Sequence, residues 1–330
     1  MSIKSWKHAA LGVAIAAVLP VATAQAQSGE TRIVYDDFNA PGYSYSSKWT
    51  QTYGPLSLAA GATQSFDGGK ETVTANPFVI GADFSVYDHL KYMGVANTVF
   101  PVPAKGSVTF ESRITASTPG TQPGRVVRGT YIDTGASYEA PTIEAQQAGV
   151  VMNVVDFCTG QLFDWFVTST TAVPLIERLP SNVTGNTSNP QCPGAKHVGR
   201  DLMYTQLIDE IAIKPGKPQR VGITYARGGV VTYTLNDKTV ATVKRVGIPL
   251  DRQGARYTGT YPSLGPGEEV DSQIASLALA HGLFSLLDAF PFQHPEAPEL
   301  SVSMPMSERL FGQGAIGTWD DFTVTTVTKK

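Results

Sequence analysis

The sequence predicts an all-β protein, a sandwich of two antiparallel sheets. Three observations lead there. The 330 residues include 32 glycines and 22 prolines, a density of backbone breaks that suits many short strands better than long helices. Segments in which apolar and polar residues alternate recur along the whole chain, the pattern of strands that bury one face. No amphipathic helical stretch separates those segments, which argues against a parallel sheet built from β-α-β units. A sandwich of this length folds as one unit. A closed barrel is the alternative arrangement of the same strands.

In chain order, Thr31–Phe38 alternates and ends in the acidic pair Asp36-Asp37. Ser107–Thr115 places Val108, Phe110, Ser112 and Ile114 on one face. Ala148–Asp156 precedes Gln161–Val167 and Ala172–Leu179, and the short polar turn Ser169-Thr170-Thr171 predicts that the last two pair as a hairpin. Arg220–Tyr225, Val230–Leu235 and Thr239–Val243 read as a meander. Its turns, Arg227-Gly228-Gly229 and Asn236-Asp237-Lys238, are rich in residues that tolerate turn conformations. Asp201–Ile213 and Ile274–Leu287 fit a helix or a strand, and strand is expected for both. Pro180–Pro193, rich in Ser, Thr, Asn and Pro, reads as a long surface loop. Tyr35-Asp36-Asp37-Phe38 and Trp319-Asp320-Asp321-Phe322 are similar strand entries at the two ends, as a jelly roll with neighbouring terminal strands requires.

The first residues read as an address. Lys4, Lys7 and His8 are followed by an apolar run from Ala9 to Val21, then by small residues at Ala22, Ala24 and Ala26. About 13 apolar residues reach only some 20 Å as a helix, too short to span a bilayer. Residues 1–26 are therefore expected to be a signal peptide, and 27–330 a single domain exported to the periplasm or beyond. Cleavage removes two lysines and no acid, taking the formal charge from −3 to −5. An acidic surface of this kind disfavours nucleic acid and anionic lipid as partners, and no later apolar run is long enough to insert in a membrane.

Export changes how the two cysteines read. Cys158 and Cys192 flank the polar stretch, and in an oxidising compartment they are expected to form a disulfide. No histidine spacing resembles a zinc set, so no metal ligand set is assigned. No cofactor is expected, although a structural calcium ion is compatible with such a fold. No G-x-S-x-G, P-loop, dinucleotide fingerprint or H-E-x-x-H is present.

Several blocks carry a resemblance. Pro215-Gly216-Lys217-Pro218-Gln219-Arg220 and the meander after it resemble part of the concanavalin A-like and laminin-G-like jelly rolls, as do the paired terminal segments. Tyr87–Met93, Phe163–Val167, Glu177-Arg178-Leu179-Pro180 and Glu308–Gly314 are similar to blocks of an uncharacterised family of secreted bacterial concanavalin-like proteins, a domain of unknown function. The match spans roughly residues 33 to 327. It implies a concanavalin A-like jelly-roll sandwich and no settled activity. Relatives of known activity are lectins, glycoside hydrolases and polysaccharide lyases, so a glycan is the implied partner.

Two constellations suit that chemistry. In the hairpin, Asp164 and Glu177 fall opposite or diagonal to each other, about 4.5–8 Å apart at Cβ. Phe163, Trp165 and Val167 take the apolar face, so Asp164 points the other way, between Leu162 and Phe166. A carboxyl in such a lined groove has a raised pKa, as a general acid needs. Asp164 and Glu177 are the candidate catalytic pair of a glycoside hydrolase, with Glu177 favoured as acid because its side chain is longer. Asp156 and Arg178 are candidate substrate-binding neighbours, although alternation turns Arg178 to the other face. The Glu-x-Asp-x-Glu strand of laminarinase-type enzymes is absent. Carboxylates in short strands also serve simply as a solvated face or as arginine partners.

The second constellation is Asp88-His89-Leu90-Lys91-Tyr92, either an ordinary charged loop or edge strand, or a source of acid, base and cation. His89 and Tyr92, with Arg178 and with Gln313 from the Gly312-Gln313-Gly314 turn, form the alternative set of a lyase acting on an acidic polymer, and Lys91 is a further candidate substrate-binding residue. His281 reads as a core or groove-edge histidine and His294 as a loop residue. Three function classes remain: glycoside hydrolase, lectin-like binding module and lyase. The available carboxylates favour the first.

Overall fold

Strand Gly149–Asp156 shows why the chain folds as it does. Its sequence, G-V-V-M-N-V-V-D, is apolar on both faces, and every residue of it is buried. A strand of that kind needs cover on each side. The computed structural model describes residues 29–51, 61–79, 89–259, 261, 263–288 and 296–330. The expected signal segment, Asp88 and His294 lie outside the described residues.

Two eight-stranded antiparallel sheets stack face to face. The first runs in the order β16 (Lys238–Val243), β15 (Val230–Leu235), β14 (Gln219–Ala226), β6 (Gly106–Ser117), β19 (Ala315–Thr328), β4 (Lys70–Ala75) and β3 (Thr63–Asp67). Strand β1 (Gly29–Asp36) also pairs with β19. The second runs β12 (Tyr204–Leu207), β11 (Thr171–Arg178), β10 (Gln161–Val167), β9 (Gly149–Asp156), β17 (Ser276–Phe284), β5 (Leu90–Pro101) and β2 (Trp49–Thr50), with β13 (Ile211–Ala212) also on β11. A small third sheet holds β7 (Val126–Tyr131), β8 (Ser137–Pro141) and β18 (Val302–Ser303). The four-residue helices α1 (Glu144–Gln147), α2 (Ser181–Thr184) and α3 (Met306–Arg309) sit in connections.

The terminal strands pair as expected, with Asp36 opposite Phe322. The core fills the space between the sheets. Phe163, Trp165 and Ile176 of the second sheet meet Phe110, Ile223 and Tyr233 of the first. Two polar ties cross it: Trp165 Nε1 donates to the Gly222 carbonyl at 3.0 Å, and the Tyr233 hydroxyl to the Leu175 carbonyl at 2.7 Å. Both ambiguous segments are strands, 276–284 in the middle of the second sheet and 204–207 beside β11.

Cys158 and Cys192 form a disulfide. It holds down the 180–193 stretch, which is less exposed than its polar composition suggests. Ser181, Val183 and Thr184 are buried in α2, because Ser181 Oγ accepts the Val198 N–H at 2.6 Å and draws the loop inward. Gly185 ends α2 at φ 66°, a left-handed turn that glycine adopts without steric cost.

Candidate active site on the outer face of the second sheet

The hairpin of β10 and β11 sets the site. Leu175 lies opposite Asp164 and Glu177 opposite Leu162, so the two acids are diagonal neighbours on one face. That is the face turned away from the first sheet, since Phe163 and Trp165 point into the core. The flanking strands add two polar residues in register: Asn153 of β9 beside Asp164 and Thr205 of β12 beside Glu177. Asn153 Nδ2 donates to Asp164 Oδ1 at 2.6 Å, and Thr205 Oγ1 donates to Glu177 Oε2 at 2.8 Å. Asp164 is fully buried, whereas Glu177 keeps a partly exposed edge. Asn153 and Thr205 escaped sequence reading; only the strand register brings them in.

Asp164 Oδ2 is buried and finds no hydrogen-bond partner among the described residues. Burial, with the adjacent Glu177 charge adding to it, pushes the Asp164 pKa well above the usual carboxylate range, against the opposing pull of Asn153. Burial also raises Glu177, to about 7, with the bond from Thr205 limiting the rise. Burial thus favours the protonated form of both carboxyls, Asp164 more strongly than Glu177. Only Glu177 has an edge that a ligand can touch.

The other candidates scatter. Asp156 is buried and folds its own turn, accepting the N–H groups of Cys158 and Thr159 and the Thr159 hydroxyl. Desolvation raises its pKa. Arg178 follows the alternation to the opposite face. There it is buried, donating to the Thr159 carbonyl at 2.9 Å and to Glu268 at 3.0 Å. Gln313 is buried as a turn brace: its Oε1 accepts the Phe311 N–H at 2.9 Å and its Nε2 donates to the Arg309 carbonyl. Lys91 is buried in β5 with its ammonium 5.6 Å from the Phe78 ring centre, and the Phe78 N–H bonds the Gln313 carbonyl. His89 packs edge-on against Phe284, which in turn packs against Phe166.

Tyr92 lies between the two sheets, away from the hairpin carboxylates. Its hydroxyl donates to Glu71, and His281 Nε2 lies 2.7 Å from the other Glu71 oxygen and 3.1 Å from the Tyr92 hydroxyl. All three residues are buried, and burial with the Glu71 charge raises the Tyr92 pKa well above its usual value. His281 is thus a core histidine, as read from sequence. Its partner Glu71 carried no signal there, because β4 is about 200 residues from β17 in the chain.

The outer face is not an open groove along its whole length. Leu90, Met93, Ala145, Val151, Phe166, Leu175, Tyr261 and Leu286 cluster on it, and the Tyr261 hydroxyl accepts from Gln146 Nε2 of α1 at 3.0 Å. This apolar plug stands between the Asp164–Glu177 pair and His89. Among the described residues no group of three or more His, Cys, Asp and Glu is placed to hold a metal ion, and no helix is long and apolar enough to cross a membrane.

Residues 38–328 match the family described as "Family of unknown function (DUF6081)". The chain belongs to that family. Among curated proteins none matches. Among solved structures, this DUF6081 member is similar to beta-agarase B from Zobellia galactanivorans, at 11% identity over 92% of this chain and 95% of that one, with a TM-score of 0.47. It is also similar to beta-agarase A from the same organism, at 13% identity over 92% and 94% of the two chains, with a TM-score of 0.45. A third is the cellulose induced protein Cip1, at 11% identity over 88% and 95%, with a TM-score of 0.42. The jelly-roll sandwich itself follows from the strand order and register described above.

Proposed function

We propose that this DUF6081 protein is an exported glycan-active jelly roll in which Glu177 exchanges a proton with the bound sugar and Asp164 sets its acidity. One observation carries the reading: Glu177 keeps a partly exposed edge on the outer face, diagonal to the sealed Asp164 and bonded by Thr205, where burial raises its pKa to about 7. A general acid works best with a pKa near the working pH, and burial is a physical way to obtain it. The glycan class rests on the jelly-roll architecture and on the resemblance of the sequence blocks to concanavalin-like families.

A second reading, a lectin-like module that binds without cleaving, is favoured by the burial of Asp164, which leaves Glu177 as the member of the pair with an edge a ligand can touch. The lyase set has less support, since Tyr92, Arg178 and Gln313 are buried in three separate places. The test is release of reducing ends from a panel of neutral and acidic polysaccharides. Glu177→Gln should lower turnover by roughly two to four orders of magnitude, the usual worth of one general acid, while binding persists. Full turnover by that variant overturns the assignment. Binding without cleavage by the wild type selects the lectin reading.

A further inference from the structure

We infer that β1 joins two copies of this chain edge to edge, as an antiparallel pair about a two-fold axis. β1 is bonded on one side only. Its ladder to β19 runs from Gly29 opposite Thr328 to Asp36 opposite Phe322, and among the described residues no strand occupies its other edge. Such an edge presents a row of N–H and C=O groups that can bond another strand. Residues 29–34 are exposed on both faces, with Ile33 at 43% and Val34 at 54%.

The charges say which strand fits. Glu30 and Arg32 share one face of β1, and neither forms an ion pair among the described residues. An antiparallel copy centred on Thr31 sets Glu30 opposite the partner's Arg32 and Arg32 opposite the partner's Glu30. Opposite charges facing each other across antiparallel strands stabilise the pairing. On the other face Gly29 meets the partner's Ile33, and Thr31 meets its own copy. The far edge of the same sheet differs. There β16 opens on Lys238, and Lys244 follows it with no acid between, the usual protection of an edge against pairing. A short strand edge buries less than the roughly 1,200 Å² of a standard stable interface, so the dimer is weak and concentration-dependent.

Cysteine trapping tests this. Both native cysteines are bridged and no other is free, so an introduced cysteine is the sole thiol. At the two-fold axis the residue 31 Cα atoms are about 4.5–5.5 Å apart, within disulfide range. Two residues 34 are about 20 Å apart along the strands. Thr31→Cys should therefore oxidise to a covalent dimer at least tenfold faster than Val34→Cys, although Val34 is well exposed. Added to Thr31→Cys, Glu30→Arg or Arg32→Glu alone should slow trapping, and the two together should restore it. Equal rates at 31 and 34, or no recovery in the charge-swapped variant, overturn the proposal.

Discussion

Asp164 and Glu177 show how one sheet position can make an acid weak. A carboxyl whose folded pKa exceeds its unfolded value holds a proton that the unfolded chain releases. Its contribution to stability is thus greatest below the unfolded pKa and is lost as pH rises through the folded one. For Glu177 that window runs from about 4.5 to about 7. At about 1.4 kcal/mol per pKa unit, the loss across it is on the order of 3 kcal/mol, less what the exposed edge recovers from solvent. Glu177→Gln should remove this part of the pH dependence, so the variant gains on wild type between pH 5 and pH 8. Urea unfolding at the two pH values reads the difference. A constant gap between the two proteins would mean that Glu177 titrates normally.

At the scale of elements, the same hairpin is anchored at its turn by an acid of opposite behaviour. Glu144 of α1 accepts from four threonine hydroxyls: Thr118, Thr121 at 3.1 Å, Thr168 at 2.7 Å and Thr170. Burial pushes this carboxyl up, but the four hydroxyls together outweigh it and hold the pKa below the ordinary value. Ser169 and Thr118 exchange a further pair of bonds across the same junction. Glu144 thus couples the β10–β11 turn, the segment after β6 and α1. Glutamine there keeps one acceptor and turns an amide donor toward hydroxyls. Glu144→Gln should cost about 2–4 kcal/mol, the scale of losing hydrogen bonds to a buried charge, measured as a lower midpoint in urea above pH 5. Because this acid is depressed, the penalty should shrink as the pH falls through and below about 4.5 and wild-type Glu144 itself protonates. An unchanged midpoint would show that the threonines are satisfied by water.

Over the whole molecule, the disulfide ties two connections of the second sheet together and the paired termini complete the first. By the chain-entropy account, a bridge with a sequence separation of 34 contributes on the order of 3–4 kcal/mol. Replacing Cys158 and Cys192 together by serine should lower stability by that amount without disturbing the β1–β19 ladder, which lies on the other sheet. Thermal or urea melts of the double variant read the loss, and far-UV circular dichroism checks that the sheets persist. Unchanged stability would mean that the 180–193 loop is held by its buried residues alone.

The strand Gln161–Val167 was legible to the residue, because a short aromatic-rich run and the polar turn after it are local signals, and a period of two decides which side Asp164 faces. The meander and the terminal strand entries were legible for the same reason. Other features depend on partners distant in the chain. Strand β5, L-K-Y-M-G-V-A-N-T-V-F-P, is covered on both faces over its first half, so it shows no period, and Lys91 and Tyr92 read as a charged segment although they are buried. The plug over the outer face comes from Ala145, Tyr261 and Leu286, which meet only when the sandwich closes. Whether a carboxyl on that face is solvated or sealed is a matter of desolvation by those groups. Alternation along a strand cannot report it, since burial is set by what packs on top.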